Sequence, residues 1–127
     1  MVSYDAVKAS NARIGTELPS GLVAIFVGAT SGIGEYSLLS FAKYAKKPRV
    51  YFIGRSKQSA ERIEAECRRI NPEGEFIFLQ CDTSLMKNVD KTCEEIRKRE
   101  QVINLLFMSQ GTFAMDGGAS NLEHAQL

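Results

Sequence analysis

Apolar and polar positions follow two rhythms along the chain. The short runs Leu22 to Val27, Val50 to Ile53, Phe76 to Cys81 and Ile103 to Met108 are rich in branched and aromatic residues and apolar on both faces. Such runs read as parallel strands covered by helices on two sides. Between them the apolar positions recur with a helical period, and strands alternating with such segments are the signature of βαβ units. The pattern predicts four strands and three helices, the helices at roughly Gly32 to Ala45, Ser59 to Ile70 and Ser84 to Arg99. Ile33, Leu38, Leu39, Phe41, Ala42 and Ala45 give the first helix a broad apolar face, and Pro48 follows its end. The second carries Ala60, Ile63, Cys67 and Ile70 and stops at Asn71-Pro72; the third carries Leu85, Val89, Cys93 and Ile96, with Asp82, Thr83 or Ser84 available as N-cap.

Residues 1–21 have a weaker pattern. Tyr4, Ala6, Val7 and Ala9 allow a short helix, and Pro19-Ser20-Gly21 turns the chain into the first strand. The chain therefore divides into an N-terminal extension over 1–21, an α/β half-domain over 22–113, and a tail over 114–127 that is expected to be poorly ordered.

Composition narrows the function classes. With 127 residues, 44% hydrophobic and 24% charged, the chain fits one globular domain, and the apolar run Leu22 to Ala29 is far short of the roughly 20 residues that span a bilayer. Sixteen Lys+Arg against 15 Asp+Glu leave no field to recruit nucleic acid or an anionic membrane. An odd count of three cysteines, without a CxxC pair and with one histidine (His124), argues against a disulfide framework or a metal site. A reducing, cytoplasmic setting is expected, with Cys67, Cys81 and Cys93 as small buried apolar residues.

The informative segment is Val27-Gly28-Ala29-Thr30-Ser31-Gly32-Ile33-Gly34, which leaves a predicted strand and opens a predicted helix. Gly28 allows a tight turn, Gly32 a close approach of backbone to phosphate, and Gly34 close packing of helix on strand. A helix starting here aims unpaired N–H groups and the positive end of its dipole at the loop, which suits a diphosphate, and Thr30 and Ser31 add hydroxyls. The spacing GxxxGxG differs from GxGxxG and from the Walker GxxxxGK[ST]. The second predicted strand ends Ile53-Gly54-Arg55-Ser56-Lys57. A basic residue there accommodates the 2′-phosphate of NADP, where an acidic one would bind the ribose of NAD. Arg55 offers a bidentate fork and Ser56 a hydroxyl, so NADP(H) is the expected cofactor.

VGATSGIG after the first strand, IGRS after the second, CDTS (Cys81 to Ser84) after the third and MSQG (Met108 to Gly111) after the fourth resemble the short-chain dehydrogenase/reductase family. Gly28, Gly32, Ile33 and Gly34 match its phosphate loop, with Val27 where the family usually has Thr. Arg55 resembles its NADP determinant and Asp82 its adenine-side Asp. Gln110 and Gly111 stand at the end of its NNAG segment, from which Ser109 and Gln110 depart. The wording SNARI, GATSGIGE and INLLFMSQG is also similar to reductases of fungal secondary-metabolite pathways.

The resemblance implies the N-terminal half of a Rossmann-type doubly wound parallel sheet, in a family whose catalytic Ser and YxxxK pair follow a fifth strand. It covers about residues 20 to 113, so it implies a truncated enzyme, inactive alone, from a lineage transferring hydride between NADP(H) and a ketone or alcohol of a polyketide or terpenoid intermediate. The literal YxxxK of Tyr4 and Lys8 precedes the first strand and is out of place. Ser109 reads as lining the cofactor cleft. Strand 103–108 becomes an exposed edge, which could pair with itself or with a full-length reductase. The alternative is a non-catalytic NADPH-binding or partner-association module, which would form a defined oligomer.

Overall fold

The computed structural model of the chain describes residues 1–111. The elements are α1 (Tyr4–Ala12), α2 (Ile14–Glu17), β1 (Val23–Val27), α3 (Gly32–Tyr44), β2 (Arg49–Gly54), α4 (Lys57–Ile70), β3 (Glu75–Gln80), α5 (Met86–Arg99) and β4 (Leu105–Met108). The strands form one parallel sheet in the order β3-β2-β1-β4, with Phe26 opposite both Phe52 and Phe107. The chain steps outward from β1 to β3 and then returns to the other side of β1, so the order reverses between β1 and β4. Open α/β sheets bind ligands at the carboxyl ends of their strands at such a point.

Period-two alternation divides the strand side chains between two cores. On one face Ala24, Phe26, Val50, Phe52 and Phe76 pack against Leu38 and Ala42 of α3 and Ala60, Ile63 and Cys67 of α4. On the other, Ile25, Val27, Tyr51, Ile53 and Cys81 gather with Ile96 of α5. Between α3 and α4, Arg62 pairs with Glu35 at 2.6 Å, and the Asn71 amide donates to the carbonyls of Ala42 and Ala45, satisfying the C-terminal end of α3. At the amino ends of the strands, Glu100, with a side chain only 7% exposed, accepts from Tyr51 Oη at 2.7 Å and from Arg49 at 2.8 Å.

Several expectations are corrected. Two-sided cover holds for β1 and β2, and β4, at the end of the sheet among the described residues, is the exposed edge expected of it, with Leu105, Leu106 and Met108 38%, 54% and 62% exposed. Ile33 does not join the buried face of α3; it is 75% exposed because it stands on the first turn, beyond the sheet. Cys67 and Cys81 are buried, whereas Cys93 is exposed: α5 meets the sheet chiefly through Ile96, and the Cys93 position turns away. The N-cap of α5 is Leu85 rather than Asp82, Thr83 or Ser84. The helix allowed in the extension forms as α1 and α2 follows it; neither contains a buried residue. The tail over 114–127, with His124, lies outside the described residues.

Candidate functional site

β1 ends at Val27 and α3 begins at Gly32, so the four residues between them must reverse the chain at the sheet's carboxyl edge. Gly28 does this at φ +78°, with its N–H donating to the Ile53 carbonyl at 3.0 Å, and a Cβ there would lie 2.6 Å from the Gln110 nitrogen. Gly32, at φ +59°, has open space where its Cβ would be. It therefore leaves a cradle at the mouth of α3, whose first N–H groups have no intrahelical acceptor. The N-cap residue Ser31 makes no side-chain cap bond, which leaves its hydroxyl to a ligand. From the β4 side the Ser109 N–H donates to the Val27 carbonyl at 2.9 Å and its hydroxyl to the Gly28 carbonyl at 3.3 Å. The loop is held from both neighbouring strands.

These turns and the ends of β2, β3 and β4 enclose a cleft of about 400 Å³. Of the residues singled out in the sequence, Gly28, Thr30, Ser31, Gly32, Ile33, Gly34, Arg55, Asp82, Gln110 and Gly111 line it. Ser56 does not: it caps α4, accepting from the Ser59 N–H at 3.1 Å and donating to the Ser59 hydroxyl at 3.0 Å. Ser109 lines the cleft as expected, while Ile53, Gly54, Cys81, Thr83 and Ser84 complete the wall without having been marked as ligands. Their signal was position alone, at the carboxyl ends of β2 and β3.

Charge is divided across the cleft. Arg55 is exposed at its mouth, and no carboxylate follows the end of β2 before Glu61. Asp82 accepts from the Ser84 hydroxyl at 2.7 Å and the Ser84 N–H at 3.0 Å. Those bonds, with a smaller contribution from the field of Arg55, hold its carboxyl below the usual range. The site thus combines free N–H groups at a helix start, an exposed guanidinium and an ionised carboxylate, a donor set that fits a phosphorylated dinucleotide.

Nothing along the cleft resembles a carbonyl proton donor: no tyrosine or lysine lines it among the described residues. Tyr4 and Lys8 face each other on α1, the ammonium 4.8 Å from the ring centroid, and neither lines the cleft. Burial pushes the Cys67 thiol up to about 12, which makes it a packing residue. Among the described residues no group of three or more His, Cys, Asp or Glu could hold a metal, and no helix is long and apolar enough to cross a membrane.

The short chain dehydrogenase family model matches residues 22–127, and the chain belongs to that family. It is 40% identical to an oxidoreductase of Emericella nidulans over 97% of its length, covering 36% of that protein. A short-chain dehydrogenase/reductase of Stachybotrys chartarum is 36% identical over 79% of the chain, which covers 29% of it. The chain spans about a third of the length of the curated relatives it matches. Among solved structures, L-sorbose reductase from Gluconobacter frateurii complexed with NADPH and L-sorbose shares the fold at TM-score 0.66 and 21% identity, over 79% of this chain and 38% of that one. An NADPH-dependent reductase involved in bacilysin biosynthesis, YwfH, matches at TM-score 0.69 and 21% identity over 82% and 41%. The four parallel strands with flanking helices are thus the first part of the Rossmann-type sheet of this family.

Proposed function

We propose that the chain is the NADP(H)-binding portion of a short-chain oxidoreductase and that by itself it binds the dinucleotide without turning over. The observation that carries this reading is the convergence of the glycine loop, Arg55 and Asp82 on one cleft that no tyrosine or lysine lines among the described residues. The N–H groups at the start of α3 hold the diphosphate, Arg55 the 2′-phosphate, and Asp82 lies toward the adenine. Bound there, the nicotinamide supplies or takes a hydride. The proton donor and the substrate pocket come from chain beyond these residues. Similarity to fungal oxidoreductases supports a secondary-metabolic role on a ketone or alcohol of a polyketide or terpenoid intermediate. The free thiols of Cys67, Cys81 and Cys93 support a reducing, cytoplasmic setting. Fluorescence of NADPH on the isolated chain, followed by its oxidation with a panel of ketones, tests the proposal. Saturable enhancement without oxidation is expected; no enhancement removes the binding, and oxidation removes the dependence on further chain.

One observation favours association as a second function: the outer edge of β4 is unpaired among the described residues, with Leu106 and Met108 more than half exposed. Such an edge pairs with another strand, from a second copy or a full-length reductase. Light scattering of the chain beside Leu106→Lys tests this. A defined oligomer dispersed by the lysine supports the reading, and a monomer in both samples removes it.

A further inference from the structure

The phosphate loop rests on the end of β2 through two kinds of contact. The N–H groups of Gly28 and Ala29 lie 3.0 and 3.5 Å from the Ile53 carbonyl. At the next residue the contact is steric. A Cβ on Gly54 would lie 2.5 Å from Thr30 Cγ2, 3.0 Å from Thr30 Oγ1 and 3.3 Å from Thr30 Cβ. Thr30 therefore occupies the space that a side chain at position 54 would take. Gly54 is buried, and its carbonyl accepts from the Cys81 N–H at 2.9 Å, so β2 cannot yield without disturbing β3. Its φ is not in the left-handed region, so neighbour space rather than backbone conformation selects glycine here.

We infer that Gly54 is a positioning residue for the dinucleotide: its bare Cα seats the Thr30 side chain against β2 and so fixes the part of the cleft wall that Thr30 forms. This rests on the cofactor reading above. Threonine is stiff at χ1, and a turn that removes Cγ2 from the contact brings in Oγ1, which is itself already tight. A methyl at position 54 must therefore turn the Thr30 side chain or lift the loop toward the diphosphate. Arg55 is the next residue, so the seat for the loop and the cation for the 2′-phosphate are consecutive positions of one strand end. Their effects separate by chemistry. Arg55 acts on the 2′-phosphate alone, whereas Gly54 acts on the part that NADPH and NADH share.

The test is a cycle of Gly54→Ala, Thr30→Ser and the double variant on the full chain, titrated with NADPH and NADH below the unfolding temperature of each. Thr30→Ser keeps the hydroxyl and removes Cγ2. Gly54→Ala is expected to weaken both dinucleotides about tenfold with their ratio unchanged, and Thr30→Ser in that background to restore most of the loss. Because every variant is titrated while folded, lowered stability alone leaves the affinities unchanged. Wild-type affinity in Gly54→Ala, a shifted ratio, or no rescue in the double variant overturns the positioning role and leaves the cofactor reading standing. A folded wild-type chain that binds neither dinucleotide overturns both.

Discussion

The carbonyl oxygen of Gly28 fills the place that a Cβ on Gly34 would need, so the turn leaving β1 closes directly against the first turn of α3. The Ser109 hydroxyl, 2.6 Å from the same position, seals the contact from β4. Two of the three loop glycines thus have packing reasons, and only Gly32 opens onto free space.

Gly34→Ala is expected to be destabilising. Overpacking against backbone typically costs about 1–3 kcal/mol, because the Gly28 carbonyl, held in a tight turn and accepting from the Ser109 hydroxyl, has little room to retreat. Urea denaturation checks it: a lower midpoint with an unchanged slope is the expected result.

Arg55→Asp is expected to weaken NADPH far more than NADH. Loss of a charged hydrogen bond is worth about 1.5–3 kcal/mol, roughly ten- to a hundredfold in affinity, and the new carboxylate adds repulsion toward the 2′-phosphate. Parallel titrations measure the ratio; equal weakening of both dinucleotides contradicts the assignment.

Asp82 gives a pH signature. Its carboxyl is held below the usual value by the two bonds from Ser84. A folded-state pKa lowered below the unfolded one contributes stability that is fully present above the unfolded value and is lost as pH falls through the folded one. The stability difference between the chain and Asp82→Asn should therefore be constant from neutrality down to the ordinary aspartate range, about pH 4, and shrink below it. Urea midpoints across that range measure it.

Tyr51→Phe is a control at the other end of the strands. Tyr51 donates to the nearly enclosed Glu100, which keeps Arg49 as a second donor. Loss of about 0.5–1.5 kcal/mol of stability is expected, with NADPH affinity unchanged. A drop in affinity would show that the two ends of the sheet are coupled.

The four strands and the three helices that cover them were legible because burial on both faces writes itself as unbroken apolar runs, as in Val50 to Ile53. The four-residue helix Ile14–Glu17 completes barely one turn, too little for a period to show. Cys93 looked buried because period alone does not say how closely a helix meets its sheet, and α5 approaches through Ile96. The cleft was legible where chemistry is local, in the glycine turn, Arg55 and Asp82. Ser56 was misplaced because a serine after a strand is also the N-cap of the next helix, and here the cap takes its hydroxyl. Gly54 carried no signal of its own, since its reason is the side chain of a residue 24 positions earlier in the chain.

The central claim is that this sheet end binds a 2′-phosphorylated dinucleotide, and calorimetric titration of the monodisperse chain with NADPH beside NADH tests it most directly. Saturable binding with NADPH tighter by at least about tenfold is the expected result, corresponding to roughly 1.4 kcal/mol from the 2′-phosphate. No heat from a folded, monodisperse chain, or equal affinity for the two, would contradict it.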